Sequence, residues 1–336
     1  MSFLLSEAHR RLGKENRLVV LNEVISWGSL GKNLRDLYKF ETNGKGGTKP
    51  YDSLKMFKAI LLGQWHNLSD SELEESLRVR LDFMMFTGLK DNVPDSTTLC
   101  RFRNRLVDKG LDEVLFLEIK SQLESLGLKI KNCDGAVIDA TIIESASRPK
   151  KVIKNIDSDR DEKTEDENSE NEVSIEYSKD SDAKWLKKGK KCFFGYKGFI
   201  ATDSEDGYIE NVHLTPANKS EMNNLENAIK NTNSKRVYAD KGYASKKNRE
   251  ILKKRNILDG ILYKASRNKP LSKWEKIRNK LISKKRFIVE QAFGTLKRKF
   301  QIGRSSYIGI KKVKAQTTFK AICFNLLKAT NRAILT

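Results

Sequence analysis

The chain contains 336 residues, enough for a full hydrophobic core and roughly two domains, and its formal net charge at pH 7 is +21. Its four cysteines form no C-x-x-C pair and it has only three histidines, which argues against zinc ribbons, zinc fingers, His-based zinc enzymes and a disulfide framework. The sequence shows neither a signal peptide nor an apolar run near the roughly 20 residues that span a bilayer, so we expect a cytosolic protein without membrane contact.

The first 125 residues are predicted to be α-helical. Apolar side chains in 51–88 recur at intervals of three and four residues, the spacing of one helix face. Within that stretch Ser69 precedes Glu72 by three positions, which is typical of a helix start because the two side chains can cap each other's backbone amides. A further helix is expected from Asp95 or Ser96, either of which can accept hydrogen bonds from free amides.

Beyond residue 135 the pattern changes to strands. Val137–Thr141 is predicted to be a buried strand ending in a carboxylate, and 193–214 alternates like a hairpin around the turn signal Asp206-Gly207. Further strands and helices then alternate along the chain, and they are expected at 236–240, 245–255, 257–263, 284–300 and 317–330. Strands in a run, followed by alternating strands and helices, predict an α/β core in which a mixed sheet is flanked by helices.

Charge is distributed unevenly along the chain. Residues 241–336 contain 27 Lys and Arg against four acids, a net of +23, whereas 157–182 contains 12 acids against three bases, a net of −9. A positive field of this size attracts polyanions, so we expect a nucleic-acid partner; the alternative is an ordinary lysine-rich surface. The acidic stretch is poor in large apolar residues, and we interpret about 150–190 as a flexible insertion. It is either a solvated loop or a segment that occupies the basic surface when nucleic acid is absent.

Three acidic residues are candidates for a catalytic metal site. Asp139 and Asp240 each end an apolar strand, and Glu290 follows on a predicted helix 50 residues later. Hard divalent cations such as Mg²⁺ take oxygen ligands, and carboxylates from separate elements can hold one or two ions against substrate phosphates. Taken singly, each acid has a simpler explanation: a turn hydrogen bond for Asp139, a strand-end turn before Gly242 for Asp240, and a surface ion pair for Glu290.

The predicted helix around Glu290 has a charged edge. Its apolar stripe consists of Val289, Ala292, Phe293, Leu296 and Phe300. Arg286, Glu290 and Lys297 lie together along one side of that stripe, and Gly294 beside Glu290 leaves room for a bulky group. This edge is therefore either a surface ion pair or a metal ligand bordered by two cations that bind phosphates.

In this order, the motifs resemble those of the DDE transposases of bacterial insertion sequences, of the IS5/IS4 type, over nearly the full chain. The matching segments are Pro50–Leu89 and Val93–Arg103 in the family's helical N-terminal domain, Val137–Thr141 and Tyr238–Tyr243 as the two Asp motifs, and Leu214–Asn218 before the second. Arg286-x3-Glu290-x6-Lys297 matches the back half of the family's Y-x2-R-x3-E-x6-K signature. Ser283 stands where that signature has tyrosine, so no role of the tyrosine is carried over.

The resemblance implies an RNase H-like catalytic domain at 126–336 behind a helical domain at 1–125 that binds the ends of the element. It also implies that Asp139, Asp240 and Glu290 hold two Mg²⁺ ions, for which Mn²⁺ substitutes, and that these ions activate the attacking hydroxyl and stabilise the leaving oxygen. The side chains expected to contact double-stranded DNA are Arg286, Lys297, Arg298, Lys241, Arg101 and Arg103. For the last three, a solvated side chain is the alternative. Synapsis of two element ends implies a homodimer, in the bacterial cytoplasm at the nucleoid.

Two other functions stay open at this point. A nuclease or junction resolvase of the same fold would hydrolyse DNA without joining strands. A DNA-binding repressor that has lost catalysis would be expected to lack one of the three acids, and all three are present.

Overall fold

A computed structural model describes residues 7, 10–38, 49–131, 133–147, 149 and 179–335. The N-terminal part is helical, as predicted. Its α-helices are α1 (Arg17–Val24), α2 (Trp27–Leu34), α3 (Ser53–His66), α4 (Asp70–Val79), α5 (Leu81–Thr87), α6 (Ser96–Asp108) and α7 (Leu111–Ser125), and a 3-10 turn (Arg35–Tyr38) follows α2.

The two helix starts predicted in this region are confirmed. Ser69 and Glu72 form a reciprocal capping box at the start of α4. Asp95 precedes α6, and its carboxylate accepts a hydrogen bond from the amide of Thr98 at 2.6 Å. Local side-chain chemistry therefore sets where both helices begin.

The second part of the chain forms a six-stranded mixed sheet. Its strands are β1 (Gly135–Glu144), β2 (Lys184–Lys188), β3 (Lys191–Asp203), β4 (Ile209–Pro216), β5 (Arg236–Ala239) and β6 (Leu258–Ile261). Strand β1 is central: it pairs antiparallel with β3 and parallel with β5, which pairs parallel with β6. Strands β2 and β4 both pair antiparallel with β3. The predicted hairpin is the β3–β4 turn, where Gly207 has a φ of +69°.

Helices cover both faces of the sheet. They are α8 (Leu225–Ala228), α9 (Lys246–Lys254), α10 (Lys273–Arg298) and α11 (Ile310–Leu335), with 3-10 turns at Glu221–Asn224 and Lys241–Tyr243. Side chains of α8 and α9 form one apolar cluster with Ile138 and Phe199, whereas those of α10 and α11 join a larger cluster with Val137 and Ile200 on the opposite face. This arrangement is an RNase H-like α/β core, as the resemblance implied.

The larger cluster continues into the N-terminal helices. Helix α11 contacts α1, α3 and α7 as well as β4, and Phe57 of α3 lies against Phe319 of α11 with ring centroids 6.5 Å apart. One apolar core therefore joins the helical part to the sheet. The predicted domain boundary between 125 and 126 falls between α7 and β1 and stays a prediction.

Helix α10 begins earlier than predicted. It starts at Lys273, after a capping box between Ser272 and Glu275, and not at residue 284. Residues 273–281 include no buried side chain, and Trp274 and Ile277 among them are exposed. Without a buried face the periodic pattern gave no sign of these turns.

The acidic insertion is shorter at its C-terminal side than predicted. Lys184–Lys188 form β2 of the sheet, and Asp180 is buried, where it accepts hydrogen bonds from the hydroxyls of Ser145 and Tyr196. Residues 150–178 of the predicted insertion lie outside the described residues. All four cysteines are free thiols. Over the ranges that the structure covers, no helix is long and apolar enough to cross a membrane.

Candidate active site

Asp139 and Asp240 lie next to each other at the point where two parallel strands separate. The last registered pair of β1 and β5 is Ile138 with Ala239, so the two aspartates are the next residue on each chain. Adjacent strands are about 4.8 Å apart, which brings the two carboxylates together. The prediction that Asp139 ends its strand was wrong: β1 continues to Glu144, and it is β5 that ends here.

Both aspartates contact a single guanidinium group. Arg286 of α10 places Nη2 3.4 Å from Oδ2 of Asp139 and Nη1 3.4 Å from Oδ1 of Asp240. The Arg286 side chain is 14% exposed, and its Nε is buried without a hydrogen-bond partner among the described residues. One cation thus links the two strand carboxylates to the helix that packs over them.

Asp139 is held by a local hydrogen bond in addition to this ion pair. Its Oδ1 accepts from the amide of Ala140 at 2.8 Å, which is the simple backbone role considered for it from the sequence. Burial raises the pKa of Asp139 above its usual value, and the neighbouring carboxylates of Asp240 and Glu221 act in the same direction. The amide of Ala140 and the charge of Arg286 oppose that shift. A cation near Asp139 therefore stabilises the ionised form of its carboxyl group.

Glu290 lies one turn beyond Arg286 on α10, but its side chain is exposed. In the described part of the chain it makes no hydrogen bond or ion pair, and no three His, Cys, Asp or Glu side chains are grouped so as to hold a metal ion. The structure therefore brings Asp139 and Asp240 together without Glu290, whose role stays a prediction. Two carboxylates that already share one cation do suit a hard divalent ion, which prefers oxygen ligands.

Sequence reasoning missed a further pair of charged residues beside this site. Glu221, in the 3-10 turn after β4, has its Oε1 3.7 Å from Nζ of buried Lys197. A Cβ at Gly242 would lie only 2.7 Å from Oε2 of Glu221, so glycine at that position makes room for this carboxylate. The glycine in the second Asp motif was the one sequence signal, and it did not indicate which residue approaches it.

The other side chains predicted to contact DNA occupy different environments. Lys241, Lys297, Arg298 and Arg101 are exposed, and Lys297 and Arg298 extend from the same end of α10. Arg298 also donates from Nε to the carbonyl of Gly294 at 3.2 Å. These four side chains are accessible to a large polyanion.

Arg103 is not accessible. It is 5% exposed, donates to both carboxylate oxygens of Asp70 at 2.6 and 2.9 Å, and lies over the ring of Tyr307 at 4.1 Å. The sequence could not distinguish it from Arg101, two residues earlier on the same helix. We therefore assign Arg103 to the connection between α6, α4 and the C-terminal part, and not to a DNA surface.

Replacing Arg103 by alanine is expected to lower the free energy of unfolding by about 3 kcal/mol, because it leaves a half-buried carboxylate without its partner. Arg101→Ala is the matched control, for which a stability change within about 0.5 kcal/mol is expected. Urea denaturation measures both, and filter binding measures their DNA affinity. Weaker DNA binding by a folded Arg103→Ala protein, with stability unchanged, would indicate instead that Arg103 contacts DNA.

Comparisons with known proteins agree on one family. A family profile described as "Transposase DDE domain" matches residues 134–326, and one described as "Transposase domain (DUF772)" matches 6–105. The transposase for insertion sequence element IS1106 of Neisseria meningitidis serogroup B is 44% identical over 239 residues, which cover 69% of this chain and 77% of that protein.

Solved structures of transposases also align with this chain, at low similarity. The piggyBac transposase synaptic complex with hairpin DNA aligns at a TM-score of 0.45 and 11% identity, covering 93% of this chain and 72% of that one. A pre-cleavage Mos1 transpososome aligns at a TM-score of 0.20 and 10% identity, covering 95% and 97%.

Proposed function

This chain belongs to the DDE transposases of bacterial insertion sequences, and we propose that Asp139, Asp240 and Glu290 form the site at which it cuts and joins DNA. Enzymes of this family depend on divalent metal ions and catalyse DNA transposition. The observation that carries the assignment is the convergence of Asp139 and Asp240 on the guanidinium of Arg286. Mg²⁺ is usually bound through one or two carboxylates together with substrate phosphates, and these two strands supply such a pair.

Mg²⁺ is the proposed metal, with Mn²⁺ as a substitute. Asp139 and Asp240 would bind it, and Glu290 is the proposed third ligand because it lies one turn from Arg286 on α10. When bound, a divalent ion supplies positive charge that polarises the phosphate and lowers the pKa of the attacking hydroxyl. The protein's own contribution is to hold the two carboxylates on adjacent strands of one sheet, which keeps their spacing fixed.

The cationic side chains around the two aspartates are proposed to position the DNA strand. Arg286 and Lys297 lie on the edge of α10 that also carries Glu290, and Arg298 and Lys241 extend from neighbouring exposed positions. Their charges bind phosphates, which orients the backbone for in-line attack without reading its sequence. The net charge of +23 over the C-terminal segment supports DNA as the substrate.

Recognition of the element's ends is proposed for the helices of residues 1–125, with 126–336 as the catalytic domain. Arg101 is exposed on α6 and is the candidate for a DNA contact there. Because two ends must be brought together, a homodimer is the proposed active assembly. The IS5/IS4 assignment of the element is part of the same proposal.

The test uses labelled linear DNA that carries the terminal inverted repeats, a supercoiled target plasmid and Mg²⁺. Joined products are expected, and they should disappear when EDTA replaces the metal. Cleavage without joining would support the nuclease alternative, and a gel shift without either reaction would support the repressor. Inspection of the gene's flanks for short inverted repeats bounded by direct duplications supplies the DNA ends for this assay.

A further inference from the structure

Arg286 lies between one oxygen of Asp139 and one oxygen of Asp240, where an ion shared by those two oxygens would bind. Its two terminal nitrogens are each 3.4 Å from one carboxylate oxygen. Mg²⁺ is commonly about 2.0–2.1 Å from its oxygen ligands, so these two oxygens would hold a bound ion more closely than they hold the guanidinium nitrogens. A guanidinium and a metal ion cannot occupy the gap between the same two oxygens at once.

The contacts of Arg286 with the two aspartates are long enough for the side chain to be displaced. Charge-assisted N–H···O contacts are commonly about 2.7–2.9 Å long, whereas both of these are 3.4 Å. The Nε of Arg286 is also buried without an acceptor in the part of the chain that the structure covers. The guanidinium therefore balances two charges without making the short bidentate bond that Arg103 makes with Asp70.

The local charge count leads to the same conclusion. The carboxylates of Asp240 and Glu221 both interact with that of Asp139, and the cations facing the three are Arg286 and Lys197. With Arg286 in place these five groups sum to −1, so a divalent ion would leave them positive as long as Glu290, the proposed third ligand, faces solvent as it does here. With Arg286 withdrawn they sum to −2, which one divalent ion neutralises.

We propose that Arg286 and the divalent metal ion are alternative occupants of the Asp139–Asp240 pair, and that metal entry moves Arg286 out toward the DNA strand. The inference rests on the proposed function of the two aspartates as metal ligands. It makes Arg286 a positioning residue with two positions: between the carboxylates before metal binds, and on a phosphate afterwards. Because each event favours the other, metal and DNA bind cooperatively through this side chain.

The first experiment measures Mn²⁺ binding without DNA, by calorimetry and by the EPR signal of the free ion. Arg286→Gln is expected to bind Mn²⁺ at least about tenfold more tightly than wild type, since the ion no longer displaces a cation. Lys285→Gln is the matched control: it removes the same charge from the adjacent exposed position, and its affinity should stay near the wild-type value. Mn²⁺ binding no tighter in Arg286→Gln than in wild type would overturn the proposal, as would an equal gain in Lys285→Gln.

A second measurement is made on the wild-type protein, with Arg286→Lys used only to assign one resonance, and it holds if Arg286→Gln does not fold. The Nε–H resonance of Arg286, identified by its loss in Arg286→Lys, is expected to exchange slowly with water because the group is buried. Adding Mg²⁺ should shift it and accelerate its exchange as the side chain moves outward. A resonance that Mg²⁺ leaves unchanged would contradict the exchange of occupants.

The aspartate variants separate this inference from the proposed function. Asp139→Asn and Asp240→Asn should each abolish Mn²⁺ binding if the aspartates are the ligands. If they bind Mn²⁺ as wild type does, the proposed site fails and the inference fails with it. If they lose the metal while Arg286→Gln gains nothing, the site stands and the role of Arg286 alone is rejected.

Discussion

Asp139→Asn is expected to reduce cleavage of element-end DNA by at least about 100-fold while leaving DNA affinity, measured in EDTA, within about threefold of wild type. Asparagine has nearly the same shape, and its side-chain oxygen can still accept the amide of Ala140, which Oδ1 contacts at 2.8 Å. The substitution removes the negative charge that a metal ligand needs. It does not remove any cation that binds phosphate, so the DNA complex should persist.

Denaturing gels of labelled DNA measure this cleavage, and gel shifts at one fixed salt concentration measure the affinity, because both depend on ionic strength. Asp134→Asn is the matched control. Asp134 is exposed, lies just before the other end of β1 and pairs with Lys235 at 3.2 Å, so its replacement should leave cleavage near the wild-type rate. Cleavage by Asp139→Asn within about tenfold of wild type would exclude this carboxylate from the metal site.

The sequence predicted the two aspartates because each belongs to a short motif next to a strand. Their meeting follows from register: β1 and β5 pair in parallel through Ile138 and Ala239, so the next residues must be neighbours. Sequence could not predict that β1 continues past Asp139, because the length of a strand depends on what pairs with it. Here β3 pairs with β1 as far as Glu144.

The surroundings of the aspartates were less accessible to sequence reasoning. The spacing on α10 predicted that Arg286 and Glu290 share an edge, but which of them turns inward is decided by tertiary contacts: Arg286 reaches both aspartates, and Glu290 faces solvent. Glu221 was missed altogether. It lies 19 residues before Asp240 in another segment, and no spacing rule links a 3-10 turn to a strand end across a fold.

Helix starts and turns that depend on local side-chain chemistry were predicted better than elements that depend on pairing with a distant strand. The capping side chains gave the starts of α4 and α6, and the Asp206-Gly207 turn gave the hairpin. Strand β2 was missed because Lys184–Lys188 is nearly all exposed and lysine-rich, so it lacks the apolar alternation of a half-buried strand. It forms a strand because it pairs antiparallel with the first residues of β3.

Gly195→Ala is expected to lower the free energy of unfolding by more than about 3 kcal/mol, or to prevent folding. Gly195 lies in β3 opposite the end of β1, and a Cβ there would be 2.2 Å from the carbonyl oxygen of Ile143 and 2.8 Å from the amide nitrogen of Ser145. Both atoms belong to the backbone, so no side-chain rotation relieves the clash. Strand β1 must move away from β3, and it is the strand that carries Asp139.

Gly198→Ala, three residues later on the same strand, separates this clash from the general effect of replacing glycine. The nearest atom to a Cβ at Gly198 is the terminal Cδ1 of Ile143, at 3.1 Å, and a flexible methyl group can shift by a few tenths of an ångström. A change below about 1.5 kcal/mol is therefore expected, measured like Gly195→Ala by urea denaturation of the purified proteins. Equal losses of stability in the two variants would mean that the loss comes from replacing glycine in a strand and not from the clash. A large loss confined to Gly195→Ala would mean that β3 needs glycine here to lie close to the backbone of β1, the strand that carries Asp139.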